Sequence, residues 1–184
     1  YQLINDRLQL EQIMKKPVEG MAYPNGLREF PGMIEAVKSC GVRYARATTG
    51  TYDFKLPNDF LRWYPTCHQA SPRLNEMIDT FLGPFPYPQP WRIHPRLLFI
   101  WGHSYEYEHD WTPLETMCEK LAGHKDVWYA TNMEIAEYLT AMHSLRPTVD
   151  GHYVYNPTHI PLYVNANDVD IVLQPGAVTE IPAK

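Results

Sequence analysis

The sequence predicts a mixed α/β domain built on parallel strands, followed at its C-terminal end by a small antiparallel β element. Three observations carry this expectation. Short apolar runs alternate with helical patterns at least three times before Pro147, as in folds whose strands are parallel in an open sheet or a barrel. The run Leu97–Trp101 is apolar at every position, as in a strand buried on both faces. After Pro147 the texture changes to short β-like runs at 152–155, 161–164 and 169–173, separated by Asn, Asp, Pro and Gly, the pattern of antiparallel hairpins. The expected organisation is a main domain over 1–147 and a β-rich appendage over 148–184 packed on it.

The elements follow in order. Leu3, Ile4, Leu10, Ile13 and Met14 recur at helical spacing over 2–15, and Pro17 stops the helix. A short extended run over 18–23 leads to the turn Pro24-Asn25-Gly26. Met33, Ile34, Val37 and Cys40 share one face of a helix over 31–40, with Gly41 at its C-terminal cap. Residues 42–47 alternate as a strand, and 50–70 read as irregular. Ser71-Pro72 opens a helix with Leu74, Met77, Ile78, Phe81 and Leu82 on its buried stripe, ended by Gly83. Five prolines over 84–95 make a loop. Thr112-Pro113-Leu114-Glu115 and Thr131-Asn132-Met133-Glu134 read as capping boxes, with a strand at 127–130 between their helices.

Composition narrows the function classes. The chain has 184 residues and 45% hydrophobic residues, enough for a packed core. A net charge of −5 with no basic block argues against nucleic acid as a partner. No 18-residue apolar run exists, so no membrane span is expected. Cys40, Cys67 and Cys118 are too few and too scattered for a disulfide framework, which favours a reducing compartment. Aromatic residues are 13% of the chain. They suit core packing first and a carbohydrate site second.

In parallel α/β folds ligands bind at the carboxyl ends of the strands. That rule selects Tyr23-Pro24-Asn25-Gly26, Thr48-Thr49, Gly102-His103-Ser104 and Thr131-Asn132. Only His103 among them can both accept and donate a proton near neutral pH. Glu106, Glu108, His109 and Asp110 follow it and read as a solvated acidic loop, with orientation of His103 or a metal as the alternatives. Cys67 and His68 are adjacent, and adjacent side chains diverge, so they are no nucleophile pair. Asp150, His152 and His159 lie in the appendage and read as structural.

Five ordered pieces resemble the polysaccharide deacetylase family of carbohydrate esterases. They are Gly20-Met21-Ala22-Tyr23-Pro24-Asn25-Gly26, Tyr44-Ala45-Arg46-Ala47-Thr48-Thr49, Trp63-Tyr64-Pro65-Thr66-Cys67-His68, Leu98-Phe99-Ile100-Trp101-Gly102-His103-Ser104-Tyr105-Glu106 and Trp128-Tyr129-Ala130-Thr131-Asn132. The resemblance covers most of residues 17–160. It implies a distorted (β/α)7 barrel-like fold, incomplete at its N-terminus here. It implies metal-dependent hydrolysis of an acetyl group, N-acetyl before O-acetyl, on a carbohydrate substrate, a reaction on a carbon–nitrogen bond other than a peptide bond. His103 matches the family's late histidine, the general acid. Tyr23, Pro24 and Asn25 match a turn whose backbone N–H helps hold the oxyanion. Asp59, Trp63, His68 and Trp101 complete the expected substrate-binding set.

The chain departs from the family in two ways. Ala22 stands where the family often has Arg. A Thr-Phe-Asp-Asp-Gly strand end and a His-Ser/Thr-x-x-His pair are both missing: His103-Ser104 is followed by Tyr107 and His143-Ser144 by Pro147 at the positions where the second His belongs. Those motifs carry the base and the ligands of a divalent, zinc-like metal. The expectation is therefore that the base and metal ligands belong to an N-terminal segment outside this chain, and that the chain alone is inactive. The alternative is a non-catalytic carbohydrate-binding or interaction module derived from the same fold. A third reading, an unrelated barrel hydrolase using Glu106 or Glu108 with His103, ranks below both.

Overall fold

A computed structural model describes residues 1–84 and 95–183. The expected proline-rich loop falls, apart from its ends, outside the described residues. Two compact units form, Tyr1–Tyr129 and Ala130–Lys184. The division thus falls before the Thr131 helix, which the sequence placed in the main domain, and not after Pro147.

In the first unit, α1 (Gln2–Met14) buries none of its side chains, and Ile13 is 75% exposed. The apolar positions read from the sequence make no buried stripe. At 100° per residue they spread over about half the helix circumference, and only Leu3 packs on the core. Polar contacts anchor the helix instead. The Arg7 guanidinium donates to the Cys40 carbonyl and, at 2.6 Å, to Glu11, which also accepts from the Val18 N–H.

The strands of this unit are short and parallel. β1 (Gly20–Ala22) pairs with β2 (Tyr44–Arg46), and Arg46 bridges to Trp63. Trp63 begins an extended segment that ends in β3 (Cys67–His68), which pairs with β4 (Ile100–Trp101). One segment, residues 63–68, therefore joins β2 on one side to β4 on the other. Within the stretch 50–70 read as irregular, the 3-10 helix Phe60–Arg62, the bridge at Trp63 and β3 are the regular pieces, and the rest is irregular as expected. Trp63 is 1% exposed and meets Tyr44, Phe60 and Phe99 edge-on at 5.2–5.9 Å. A second cluster of Tyr23, Val37, Val42, Ala45 and Leu61 lies under α2 (Met33–Ser39).

Three expectations fail here for identifiable reasons. The apolar run at 97–101 is only half-buried, because just two of its residues pair and they do so with β3 alone among the described strands. No strand forms over 127–130; Trp128 is 58% exposed and the Tyr129 hydroxyl donates to the Leu121 carbonyl. The Thr112 capping box does not form. Asp110 takes the role by accepting from the Thr112 N–H at 2.9 Å, so α4 (Thr112–Leu121) starts under a residue two positions upstream. α3 (Leu74–Leu82) starts two residues later than the Ser71-Pro72 reading, with Arg73 at its N-cap, because Ser71 Oγ accepts the Arg73 N–H in a turn ahead of it; Met77 and Ile78 of the expected stripe are buried. Among the described residues the sheets are small and none closes into a barrel. No described helix is long and apolar enough to cross a membrane.

The second unit opens with α5 (Asn132–His143), whose capping box is present: Thr131 Oγ1 accepts from the Glu134 N–H and Glu134 from the Thr131 N–H. β5 (Arg146–Pro147), β6 (Tyr153–Tyr155) and β9 (Val178–Glu180) form one antiparallel sheet. β7 (Leu162–Ala166) and β8 (Val169–Leu173) form a hairpin. Asn167 and Asp168 turn it with φ of 53° and 62°, the paired left-handed residues a type I′ turn needs. Ala141, Leu162 and Leu173 make the core.

One pH dependence follows from this unit. Asp150 accepts from the Thr148 hydroxyl and from the His152 N–H and ring, and these bonds hold its carboxyl at about 2 against 3.8. A carboxyl depressed on folding stabilises above its unfolded value, and the contribution is lost as pH falls from about 3.8 to about 2. Asp150→Asn is expected to lower the unfolding midpoint at neutral pH and to narrow the loss over that acid window, read by thermal melts from pH 7 to 2. An unchanged acid limb in the variant would contradict it.

Candidate functional site at the strand ends

The parallel pairing brings four strand ends together in order: the turn after β1, Ala47 after β2, His68 at the end of β3 and His103 after β4. At the first, Pro24 and Asn25 occupy the corners of a turn closed by the Gly26 N–H on the Tyr23 carbonyl, 3.1 Å. Asn25 (φ 57°) and Gly26 (φ 85°) are both left-handed, and a Cβ on Gly26 would lie 2.5 Å from Thr48 Oγ1. Pro24 and Asn25 are exposed, whereas the Tyr23 ring is buried, with its hydroxyl donating to the Leu61 carbonyl.

The pairing register places His68 beside Trp101, with ring centroids 4.4 Å apart and nearly perpendicular. His68 Nδ1 accepts the Ala70 N–H at 3.1 Å. A neutral ring must then carry its proton on Nε2, which lies 3.5 Å from Glu106 Oε2. His103 sits 5.6 Å from Trp101 and 6.4 Å from His68, and it stacks on Tyr105 at 5.0 Å. The Arg46 guanidinium covers Trp101, with Cζ 4.4 Å from the ring centroid.

Two residues that the sequence reading did not place in the site hold it together. Gln69 Nε2 donates to the His103 carbonyl at 2.9 Å and to Glu106. Glu106 Oε2 also accepts the His103 N–H at 3.2 Å. Partial burial would raise the Glu106 carboxyl, but the bonds from His103 and Gln69 and the positive potential of His68 and His103 outweigh it and hold the carboxyl below its ordinary value. Glu106 is exposed, yet it is tied to the backbone of His103 and to Gln69 and is not a free member of the acidic loop. The His103–Glu106 spacing was visible in the sequence; Gln69 had no signal, since it arrives only through the pairing of β3 with β4.

Of the expected residues, His68, Trp101 and His103 converge. Asp59 instead caps the short 3-10 helix Phe60–Arg62 and pairs with Arg62 at 2.6 Å. Trp63 is a core residue and offers no surface to a ligand. Among the described residues no three His, Cys, Asp or Glu side chains converge as a metal-ligand set, and at this site His68 and Glu106 face each other at 3.5 Å as a pair only. The residues present do not fit a divalent metal on their own.

Gly102 makes this packing possible. A Cβ there would lie 2.0 Å from Gln69 Cδ. Gly102→Ala is expected to expel Gln69 and cost about 1–3 kcal/mol through its lost bonds. In a Gln69→Ala background the same change should cost much less, which a double-mutant cycle in denaturant would measure. Equal costs in both backgrounds would refute the packing argument.

Comparison of the chain with protein-family models, with curated proteins and with solved structures gives no match.

Proposed function

We propose that this chain carries the proton-donating part of a metal-dependent carbohydrate deacetylase site, with His103 as general acid. The observation that carries the reading is the setting of His103. It follows a parallel strand, its ring is exposed, and its backbone is held on both sides by Gln69 and Glu106. The ordered motif resemblance supports the same reading, as does the in-order parallel run of β1, β2, residues 63–68 and β4, which is compatible with part of a distorted (β/α)7 barrel.

In acetamide hydrolysis a hydroxide adds to the acyl carbon, and the tetrahedral adduct collapses by breaking the C–N bond. The departing amine must gain a proton, and an N–H of the His103 ring supplies it. The resemblance gives the Tyr23-Pro24-Asn25 turn the oxyanion, and Asn25 would be its donor, since Pro24 has no N–H and the Tyr23 N–H donates to the Arg46 carbonyl. A divalent metal would polarise the carbonyl and activate the water. Among the described residues no set of side chains fits as its ligands. The test is acetate release from N-acetylated oligosaccharides by the full-length protein and its His103→Ala variant. Equal rates would refute the assignment.

A further inference from the structure

The residues around His103 include one cation whose charge nothing in the described structure balances. Arg46 ends β2 and is half-buried. Burial alone pulls its pKa down, with no carboxylate acting in the other direction. Among the described residues it forms no ion pair, and its hydrogen bond runs from Nη1 to the Ala47 carbonyl at 3.2 Å. The other strong guanidinium contacts of this unit are different. Arg62 is held by Glu29 and Asp59, Arg73 by Glu76 and Arg7 by Glu11. A partly desolvated charge left without a partner is costly, and the face of Trp101 offsets only part of that cost.

We propose that Arg46 is a ligand-binding residue that takes a carboxylate on the sugar bound beside His103. The proposal rests on the deacetylase reading for the acetyl group and deepens it by naming the substrate class, an acidic acetylated saccharide. Three features favour a carboxylate. The guanidinium presents a planar fork of donors that matches a carboxylate edge to edge. It is a single cation, suited to a monoanion. Trp101 packs against the Arg46 guanidinium and against the rings of His68 and His103, so Arg46 and His103 flank the same indole and one saccharide can reach both.

The probes are a disaccharide of N-acetylglucosamine and glucuronate and its carboxyl-reduced glucose counterpart. Their affinities for the full-length protein are measured by calorimetry, and acetate release is followed separately. The wild type is expected to bind the acidic form about 10-fold or more tighter than the reduced one, the scale of a charge-assisted hydrogen bond. Arg46→Gln should bring that ratio to about 1, and Arg46→Lys, which keeps the charge without the fork, should fall between. A wild type with no preference, or binding neither sugar, would overturn the proposal. So would an Arg46→Gln protein that keeps the preference. If the acidic sugar binds through Arg46 but no acetate appears, the deacetylase reading fails while the carboxylate site stands.

Discussion

Replacing His103 with alanine in the full-length protein is expected to lower kcat for acetate release by about 10²–10⁴-fold, the usual contribution of a positioned general acid. The effect should fall on kcat and leave KM nearly unchanged, because proton donation stabilises the collapsing adduct and not the bound sugar. His103 is exposed, and its ring lies against Tyr105 and edge-on to Trp101 without filling the core. The variant should therefore fold, and its circular dichroism and melting point should match the wild type closely. A substrate whose leaving group needs no proton, such as an activated aryl acetate, should be hydrolysed at a rate far less sensitive to the change. If the amide and the activated ester lose activity equally, His103 acts in some way other than as the acid.

The second large effect lies in the other unit. Asn156 is 0% exposed, and all of its polar side-chain atoms are used. Its Nδ2 donates to the Ile160 and Leu173 carbonyls, each at 2.9 Å, and its Oδ1 accepts the Thr158 N–H and hydroxyl at 3.0 and 2.7 Å. One side chain thus ties the loop after β6 to the end of β8. Asn156→Ala leaves buried donors and acceptors with no partner, at about 1–3 kcal/mol for each that water does not reach. The expected loss is about 3–5 kcal/mol, a large part of the 5–15 kcal/mol typical of a domain. Asn156→Asp should be comparably damaging at neutral pH, since a carboxylate would face two carbonyl oxygens. Urea unfolding followed by far-UV circular dichroism measures both. A loss under about 1 kcal/mol would mean that the network is not what holds this loop.

The parts of the structure that were legible in the sequence are those set by local chemistry. The Thr131–Glu134 capping box and the Gly41 cap depend on residues within a few positions of each other. The placement of His103 was legible for a related reason, since a strand followed by Gly102 and a polar loop marks a strand end. The parts that were not legible depend on pairing at a distance. Residues 63–68 carry Pro65 and no alternating pattern, and Trp63 and Cys67–His68 pair at the two ends of this segment because Ala45 and Phe99 offer carbonyls on either side. Gln69 reaches His103 across 34 positions in sequence. Asp59 and Trp63 illustrate the converse: residue types that suit a binding site were used for a cap and for the core. The Thr112 box failed because α4 already includes Thr112 as its first residue, and Asp110 takes the Thr112 N–H that Glu115 would have bound.

The central claim is that His103 donates a proton during removal of a sugar acetyl group. The most direct measurement is free acetate released by the full-length, metal-loaded protein from N-acetylated chitin oligomers, peptidoglycan fragments and acidic N-acetylated saccharides, with wild type and His103→Ala side by side. The account predicts release by the wild type from at least one of these classes and a loss of about 10²-fold or more in the variant. Wild-type release that survives His103→Ala undiminished, or no release from any of the three classes, would contradict it.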